Sequence, residues 1–328
     1  METTLNATLQ GQLTDRKHRL QEAIAATGQV DDLVRLLQQV DAALNRMDHG
    51  TYGSCVACHE AVNEEDLLAN PLMQYCLCRL DEKQLGALQH DLDLAREIQS
   101  GLLPQQDFRS GGWTAHYLYE PAGPVSGDYC DILGARDNGG DLYFAMGDVS
   151  GKGVSAALLM AHLNASFRSL IQVGLPLTEI IARQNRLLLE VNLPSHYATL
   201  VLGRAEASGR VEVCNAGHCP PLVARRGGVE SLGATGYPIG MVGDRTYTML
   251  VEQLAPGDSL LLYTDGLVEA HNGGDEEFGQ TRLTEVLAKH RDAPPRGLAD
   301  ACMRELRGFL KGAISHDDLS LMVLRRDR

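Results

Sequence analysis

The sequence predicts an α+β protein whose strands pair antiparallel. Short apolar segments typical of strands recur after residue 110, and a turn at 207–209 joins two of them as a hairpin. Longer helical segments separate other strands, and the first hundred residues carry helical periodicity alone. We predict strands over 113–119, 142–146, 199–204, 211–214, 259–263 and 319–324, and helices over 154–173, 177–191 and 298–310.

Composition and charge limit the possible functions. The 328 residues suffice for two domains with a large core, and no apolar run approaches the roughly 20 residues that span a bilayer. The formal net charge of −14 disfavours nucleic acid and anionic membranes as partners. Because the first residues have neither a basic region nor an apolar signal core, we expect a cytoplasmic protein whose eight cysteines form no disulfides.

Residues 8–49 are predicted to form a helical hairpin. Leucines line one face of the first helix, and Gly28 interrupts the pattern. In the second helix the spacing alternates between four and three, which is typical of a helix-packing seam, at Leu33, Leu37, Val40, Leu44 and Met47.

Four cysteines fall within the next 30 residues. A C-x-x-C pair is followed, after 17 residues, by a second pair, and this spacing indicates a structural zinc site formed by Cys55, Cys58, Cys76 and Cys78. The surrounding ALNRMDHGTYGSCVAC and LLANP resemble the zinc-finger end of the DksA/TraR family, which binds RNA polymerase. That family's second pair is C-x-x-C, whereas here it is C-x-C with Arg79 at the expected ligand position. The alternative is a site that has lost its metal and survives by packing. We assign residues 1–80 to this hairpin and zinc-finger-like module.

Residues 81–104 are predicted to be a linker helix that ends at Pro104. Its heptad-like seam comprises Leu85, Leu88, Leu92, Ala95, Gln99 and Leu102. The seam is too short for a stable isolated coil, and Gln99 would weaken it. We predict a parallel homodimer through this helix. The alternative is a helix that packs on the domain after it.

Acidic residues stand at the ends of four predicted strands after residue 110. Asp148 ends one strand before a glycine-rich turn, and this turn is one residue too short for a phosphate-binding P-loop. The other acidic positions are Asp128 with Asp131, Asp265, and Asp317 with Asp318. All of these donors are oxygens, which favours magnesium or manganese over zinc or copper.

Five motifs in this order resemble one protein family. GDYCD, GDVSGKG, NAGHCPP, YTDGLVEA and DDLSLMVL resemble the SpoIIE/RsbU branch of the PPM family, which are bacterial metal-dependent serine/threonine phosphatases. The resemblance covers residues 95–328, and LAREIQSGLLP is similar to the linker before the catalytic domain of RsbU-like enzymes. It implies a PPM-type α-β-β-α sandwich over residues 105–328.

The resemblance also implies a site with two manganese or magnesium ions that activate a water. The catalytic metal ligands would be Asp128, Asp148, Asp265 and Asp317, together with the carbonyl of Val149. Asp131 and Asp318 would support the metal ligands without contacting the ions, or form turns. Lys152 would help to hold phosphate. Many PPM enzymes carry a histidine just after the bridging aspartate, but Ser150 and Lys152 stand here, which leaves the proton donor open. We expect His218 to be structural.

The function implied is dephosphorylation of an STAS-type anti-sigma-factor antagonist in partner-switching signalling. A second possibility is a non-catalytic regulatory scaffold that docks through the zinc-finger-like region. A third is a transcription regulator that contacts RNA polymerase through its DksA/TraR-like residues.

Overall fold

The structure, a computed structural model, describes residues 2–27, 31–56, 59, 61–74, 82–134, 140–191, 196–243, 246–313 and 317–327. The chain divides into two compact units, Met1–His90 and Asp91–Arg328.

The first unit is built on the predicted helical hairpin. Its helices are α1 (Glu2–Thr27), α2 (Asp31–Asp48) and the short α3 (Glu64–Ala69). One apolar cluster lies between α1 and α2 around Leu13 and Val40, and the predicted α2 seam residues belong to it or border it. The hairpin prediction is therefore confirmed, although α1 begins six residues earlier than expected.

The predicted zinc site lies mostly outside the described residues. Cys58, Cys76 and Cys78 are not described, whereas Cys55 is buried in a small cluster with Leu9 and Val62. The DksA/TraR-like zinc finger therefore stays a prediction.

Helix α4 (Glu82–Leu102) corresponds to the predicted linker helix and crosses the division between the units. Several of its apolar side chains are exposed, including Leu85 at 43% and Leu88 at 42% of their full area. Gln99 and Leu102 do not share this exposure, since Gln99 is buried and Leu102 packs on the helical layer of the second unit. Only the first part of the expected seam is therefore exposed to solvent.

The second unit contains two antiparallel sheets. One has six strands in the order β1-β2-β11-β10-β7-β8, and the other has five in the order β3-β4-β5-β6-β9. The strands are β1 (Asp107–Ser110), β2 (Trp113–Glu120), β3 (Asp128–Gly134), β4 (Leu142–Val149), β5 (Ala198–Ala205), β6 (Arg210–Ala216), β7 (Leu222–Arg225), β8 (Gly228–Ser231), β9 (Leu250–Gln253), β10 (Ser259–Tyr263) and β11 (Leu319–Arg326).

Apolar side chains fill the space between the sheets, and helices cover both outer faces. Helices α5 (Val154–Ile171) and α6 (Leu177–Glu190) pack on the five-stranded sheet. The six-stranded sheet is covered by α7 (Asp265–Val268), α8 (Gly279–His290) and α9 (Pro295–Leu310). The four layers confirm the predicted α-β-β-α sandwich and its antiparallel pairing.

Helix α5 is apolar enough to cross a membrane by length and composition alone. In the structure, however, one face of it packs on the five-stranded sheet through Leu159, Leu163 and Phe167, which are buried. Its hydrophobicity is thus explained by its place in the core.

A buried ion pair joins α5 to β3. The two oxygens of Asp131, which is fully buried, accept hydrogen bonds from Arg168 Nε at 2.8 Å and Nη2 at 2.9 Å. Residues three apart in a strand point to opposite faces, so Asp131 lies towards the helices while Asp128 lies towards the other sheet. Burial raises the pKa of Asp131, and the hydrogen bonds from Arg168 act in the opposite direction.

We predict that Arg168→Met lowers the free energy of unfolding by about 3 kcal/mol near neutral pH, because it leaves a buried carboxylate unpaired. Loss of Arg168 raises the pKa of Asp131 further in the folded state, so the deficit should be larger at pH 8 than at pH 5. Urea denaturation at both pH values measures this.

Arg183→Met is the matched control, since Arg183 pairs with Glu179 on α6 and both side chains are 42% exposed. It should change stability little at either pH. Equal losses for the two variants would contradict the structural importance of the Arg168–Asp131 pair.

Candidate functional site

Two of the predicted metal ligands face each other across neighbouring strands. Asp128 opens β3 and Asp148 is the penultimate residue of β4, and the antiparallel register pairs them directly. Side chains that are opposite in such a pair lie close together on one face of the sheet. The pairing of β3 with β4 thus brings together two residues that lie 20 positions apart in the sequence.

Asp128 is buried and held by hydroxyls from the other sheet. Its Oδ2 accepts hydrogen bonds from Ser320 Oγ at 2.5 Å and from Thr264 Oγ1 at 3.0 Å. Burial raises its pKa well above the ordinary range, these two donors lower it, and Asp148 and Asp318 raise it further. Ser320 lies in β11 and Thr264 follows β10, so this carboxylate also links the two sheets.

Asp148 is the centre of a group of acidic side chains. Burial raises its pKa to about 7, and the carboxylates of Asp265, Asp317 and Asp318 add to the shift, whereas Lys152 opposes it. Asp265 begins α7 and Asp317 precedes β11, so both come from the six-stranded sheet. The fold thus brings acidic residues from four separate segments to one edge between the sheets.

Asp318 binds backbone rather than another side chain. Its Oδ1 accepts a hydrogen bond from Ala122 N at 2.8 Å, and its Oδ2 accepts one from Gly127 N at 2.9 Å. Asp318 therefore anchors the loop that precedes Asp128. Asp131, by contrast, lies on the helix side of β3, away from this carboxylate group.

Lys152 places a positive charge beside these acidic residues. Its Nζ lies 3.3 Å from Asp317 Oδ1, and both side chains are more than half exposed. Lys152 stands between Gly151 and Gly153, whose φ angles of 96° and 75° favour glycine. The glycine turn therefore presents Lys152 to solvent at the mouth of the site.

The carbonyl of Val149 also lies at this edge. A Cβ added to Gly127 would come within 3.0 Å of Val149 O and 3.6 Å of Asp148 Oδ1. Glycine at position 127 therefore lets the loop approach Val149 O without a shift.

The donor set fits hard divalent cations. Among the described residues, no three His, Cys, Asp or Glu side chains already converge as closely as the ligands of one ion do. Asp148, Asp265 and Asp317 nevertheless share one space, since the charges of Asp265 and Asp317 raise the pKa of Asp148. Mutual repulsion keeps these like charges apart. Carboxylates and a backbone carbonyl are the ligands that magnesium and manganese prefer.

Two histidines lie near the site. His218 is buried, its Nδ1 is 2.8 Å from Thr199 Oγ1, and burial lowers its pKa to about 4. The side chain of Asn215 hydrogen-bonds to the backbone N–H and carbonyl of His218, which fits the structural role expected for His218. His196 comes to the glycine turn from the segment before β5, and its Nε2 lies 3.9 Å from the position of a Cβ on Gly151.

Sequence reasoning missed several residues that shape the site. Thr264 and Ser320 hold Asp128, and Ser126 Oγ accepts a hydrogen bond from the backbone N–H of Asp128 at 3.0 Å. The signal was present, because each hydroxyl lies within three residues of an expected metal ligand, in YTDG, DDLS and VSGD. His196 had no such signal, since only strand pairing brings it near.

Comparisons with known proteins agree with this architecture. The family profile of Stage II sporulation protein E (SpoIIE) matches residues 138–327, which is more than half of the chain. Protein IcfG of Synechocystis sp. is 31% identical over 275 residues, which are 74% of this chain but only 42% of IcfG. Phosphoserine phosphatase RsbU of Bacillus subtilis is 24% identical over 275 residues, covering 80% of this chain and 78% of RsbU.

Among solved structures, the SiaA-PP2C domain of Pseudomonas aeruginosa superposes with a TM-score of 0.64 at 21% identity. The match covers 74% of this chain and 98% of that domain, and supports a PP2C-type fold. The resemblance drawn from the five motifs is thereby confirmed at the level of the family. Because the profile runs from just before β4 to the end of β11, across the strands that carry most of the clustered carboxylates, the chain belongs to the SpoIIE family.

Proposed function

We propose that this protein is a metal-dependent serine/threonine phosphatase that acts in partner-switching signalling. The observation that carries the proposal is the group of carboxylates from both sheets around Asp148. Family membership supports it, since the relative RsbU is a phosphoserine phosphatase. The cytoplasm is the expected place of action.

The PP2C-type family generally uses manganese or magnesium, and we propose a two-ion site here. Asp128, Asp148, Asp265 and Asp317 would hold the ions through their carboxylates, and the carbonyl of Val149 would add a further oxygen. Such a pair of ions lowers the pKa of water and offsets the charge of a phosphoryl group. Lys152, exposed at the mouth, would contact the phosphate, while Ser320 and Thr264 keep Asp128 in place.

Asp148→Asn tests the site, because it keeps the side-chain shape and removes the charge. We expect manganese-dependent hydrolysis of a phosphoester to fall at least about a hundredfold. Steady-state rates at several manganese concentrations measure this, and circular dichroism checks that the fold is kept.

Asp300→Asn, at an exposed position of α9, makes the same chemical change away from the site and should leave the rate unchanged. Full activity in Asp148→Asn would refute the two-ion site.

The proposed substrate is a phosphorylated STAS-domain protein, as in the partner-switching systems of RsbU-like relatives. The rival proposals are a non-catalytic scaffold and a regulator that binds RNA polymerase through residues 40–80. A scaffold would bind the phosphorylated STAS protein without releasing phosphate. Co-purification with polymerase would favour the regulator.

We also propose that the protein is a homodimer through the exposed first part of α4. Leu88→Glu combined with Leu92→Glu would bury unpaired carboxylates in such a contact, so we expect a monomer. Light scattering at micromolar concentration measures the mass.

His90→Glu serves as the control, since it adds one such carboxylate on another side of the helix and should keep the dimer. A monomeric unmodified protein would remove the idea, and a dimer that persists in the double variant would place the contact elsewhere.

A structural zinc ion held by Cys55, Cys58, Cys76 and Cys78 is proposed for the first unit. Metal analysis of the full chain should give about one zinc per chain. Cys55→Ser should lose the zinc and expose residues 50–80 to protease, because this segment has little apolar content with which to fold alone.

Cys302→Ala, which changes a buried cysteine of α9, should retain the zinc. A zinc-free preparation whose residues 50–80 resist protease would show that packing alone holds the segment.

A further inference from the structure

One side chain of α4 departs from its neighbours on that helix. Gln99 is only 6% exposed, whereas Glu97, Ile98 and Ser100 beside it are exposed. A buried glutamine loses considerable side-chain entropy and needs partners for both ends of its amide. Its environment must therefore supply both a donor and an acceptor.

Both partners of the Gln99 amide come from the backbone of Ser126. Gln99 Nε2 donates to Ser126 O at 2.7 Å, and Gln99 Oε1 accepts from Ser126 N at 3.0 Å. The amide thus pairs with one residue in the way that a neighbouring strand would. It fixes the position and the orientation of that peptide segment together.

Ser126 passes this constraint to the proposed metal site. Its Oγ accepts a hydrogen bond from the backbone N–H of Asp128 at 3.0 Å, and Ser126 is fully buried. The next residue, Gly127, is the one that approaches Val149 O and Asp148 Oδ1. The peptide segment that Gln99 fixes therefore carries one ligand and borders two others.

The loop before Asp128 is held from both sides by side chains. Asp318 accepts hydrogen bonds from the N–H groups of Ala122 and Gly127, and Gln99 holds Ser126 between them. Apart from the hydrogen bond of Val149 N to Gly127 O at 3.3 Å, the described residues 121–127 make no ladder bond to a strand. Removing the amide of Gln99 should therefore loosen this loop, while the sheets stay intact.

We propose that Gln99 is a positioning residue for the metal site: its amide fixes the Ser126–Asp128 backbone, so that metal affinity depends on α4 being seated against this loop. Gln99 acts through Ser126 and does not contact the reacting atoms. The inference rests on the proposed metal-dependent function. Through the hydrogen bonds between Gln99 and Ser126, a shift of α4 would reach the metal site without any change in the sheets.

Gln99→Met tests this, because it keeps the length and the apolar stem of the side chain and removes both hydrogen bonds. We expect manganese binding to the intact chain, measured by calorimetry, to weaken about tenfold. The manganese concentration for half-maximal hydrolysis should rise by the same factor, while the rate at saturating manganese stays within about twofold. Amide exchange of residues 122–128 in the metal-free protein should become faster.

Glu97→Met is the control, since it introduces the same methionine at an exposed position two residues away on α4. It should leave affinity and exchange unchanged. Ser126→Ala removes the link to the Asp128 N–H together with a side-chain hydrogen bond to Tyr119, so it should weaken manganese binding in the same direction and serves if Gln99→Met does not fold.

Unchanged metal affinity and unchanged exchange in Gln99→Met would overturn the proposal. So would a loss of thermal stability and of saturated rate without a shift in the manganese dependence, because that pattern describes ordinary packing. Absence of manganese-dependent hydrolysis in the unmodified chain would refute the proposed function instead, and the exchange rates of the metal-free proteins would still decide the role of Gln99.

Discussion

Like charges collect where the two sheets of the second unit meet. Asp128 and Asp148 face each other across β3 and β4, and Asp265 and Asp317 approach from the other sheet. Two unit charges about 5 Å apart at an effective dielectric constant of about 20 repel by about 3 kcal/mol. The pKa of about 7 for Asp148 reflects this repulsion together with burial. The surrounding structure must therefore hold these groups where they would not gather by themselves.

The means of holding them differ from one carboxylate to the next. Asp128 is fixed by hydroxyl donors, and Asp318 is satisfied by two backbone N–H groups. Thr264 and Ser320 also bind each other's backbone, with Thr264 N donating to Ser320 O at 3.0 Å. The site is consequently part of the joint between the sheets, and its geometry depends on how the sheets dock.

Local sequence information predicted the α5 and α6 helices, the acidic strand ends and every long strand except β3. It did not reveal β7, β8 and β9, because four residues are too few for an alternating pattern. Helix α8 was missed because it begins at a glycine and has few apolar residues. Strands β7 and β9 pair with β10 and β6, which are distant in the sequence.

The site shows the same limit. The four acidic positions could be identified, but the split between Asp128 and Asp131 required knowing that both lie in one strand, since only then do they face opposite ways. No strand had been predicted over this segment. Gln99 was interpreted as a weak point of a coiled-coil seam, because its partner, Ser126, lies 27 residues away and pairs through backbone atoms that carry no sequence signal.

Strand β11 occupies the middle of the six-stranded sheet, between β2 and β10, and pairs with β2 in register from Trp113 to Glu120. About 200 residues separate these two partners, so the sheet has a high contact order. During synthesis β2 and β10 leave the ribosome well before the strand that joins them. A nascent chain therefore has two strand edges without their central partner, and lacks Asp317, until translation reaches β11, and unpaired strand edges are prone to aggregation.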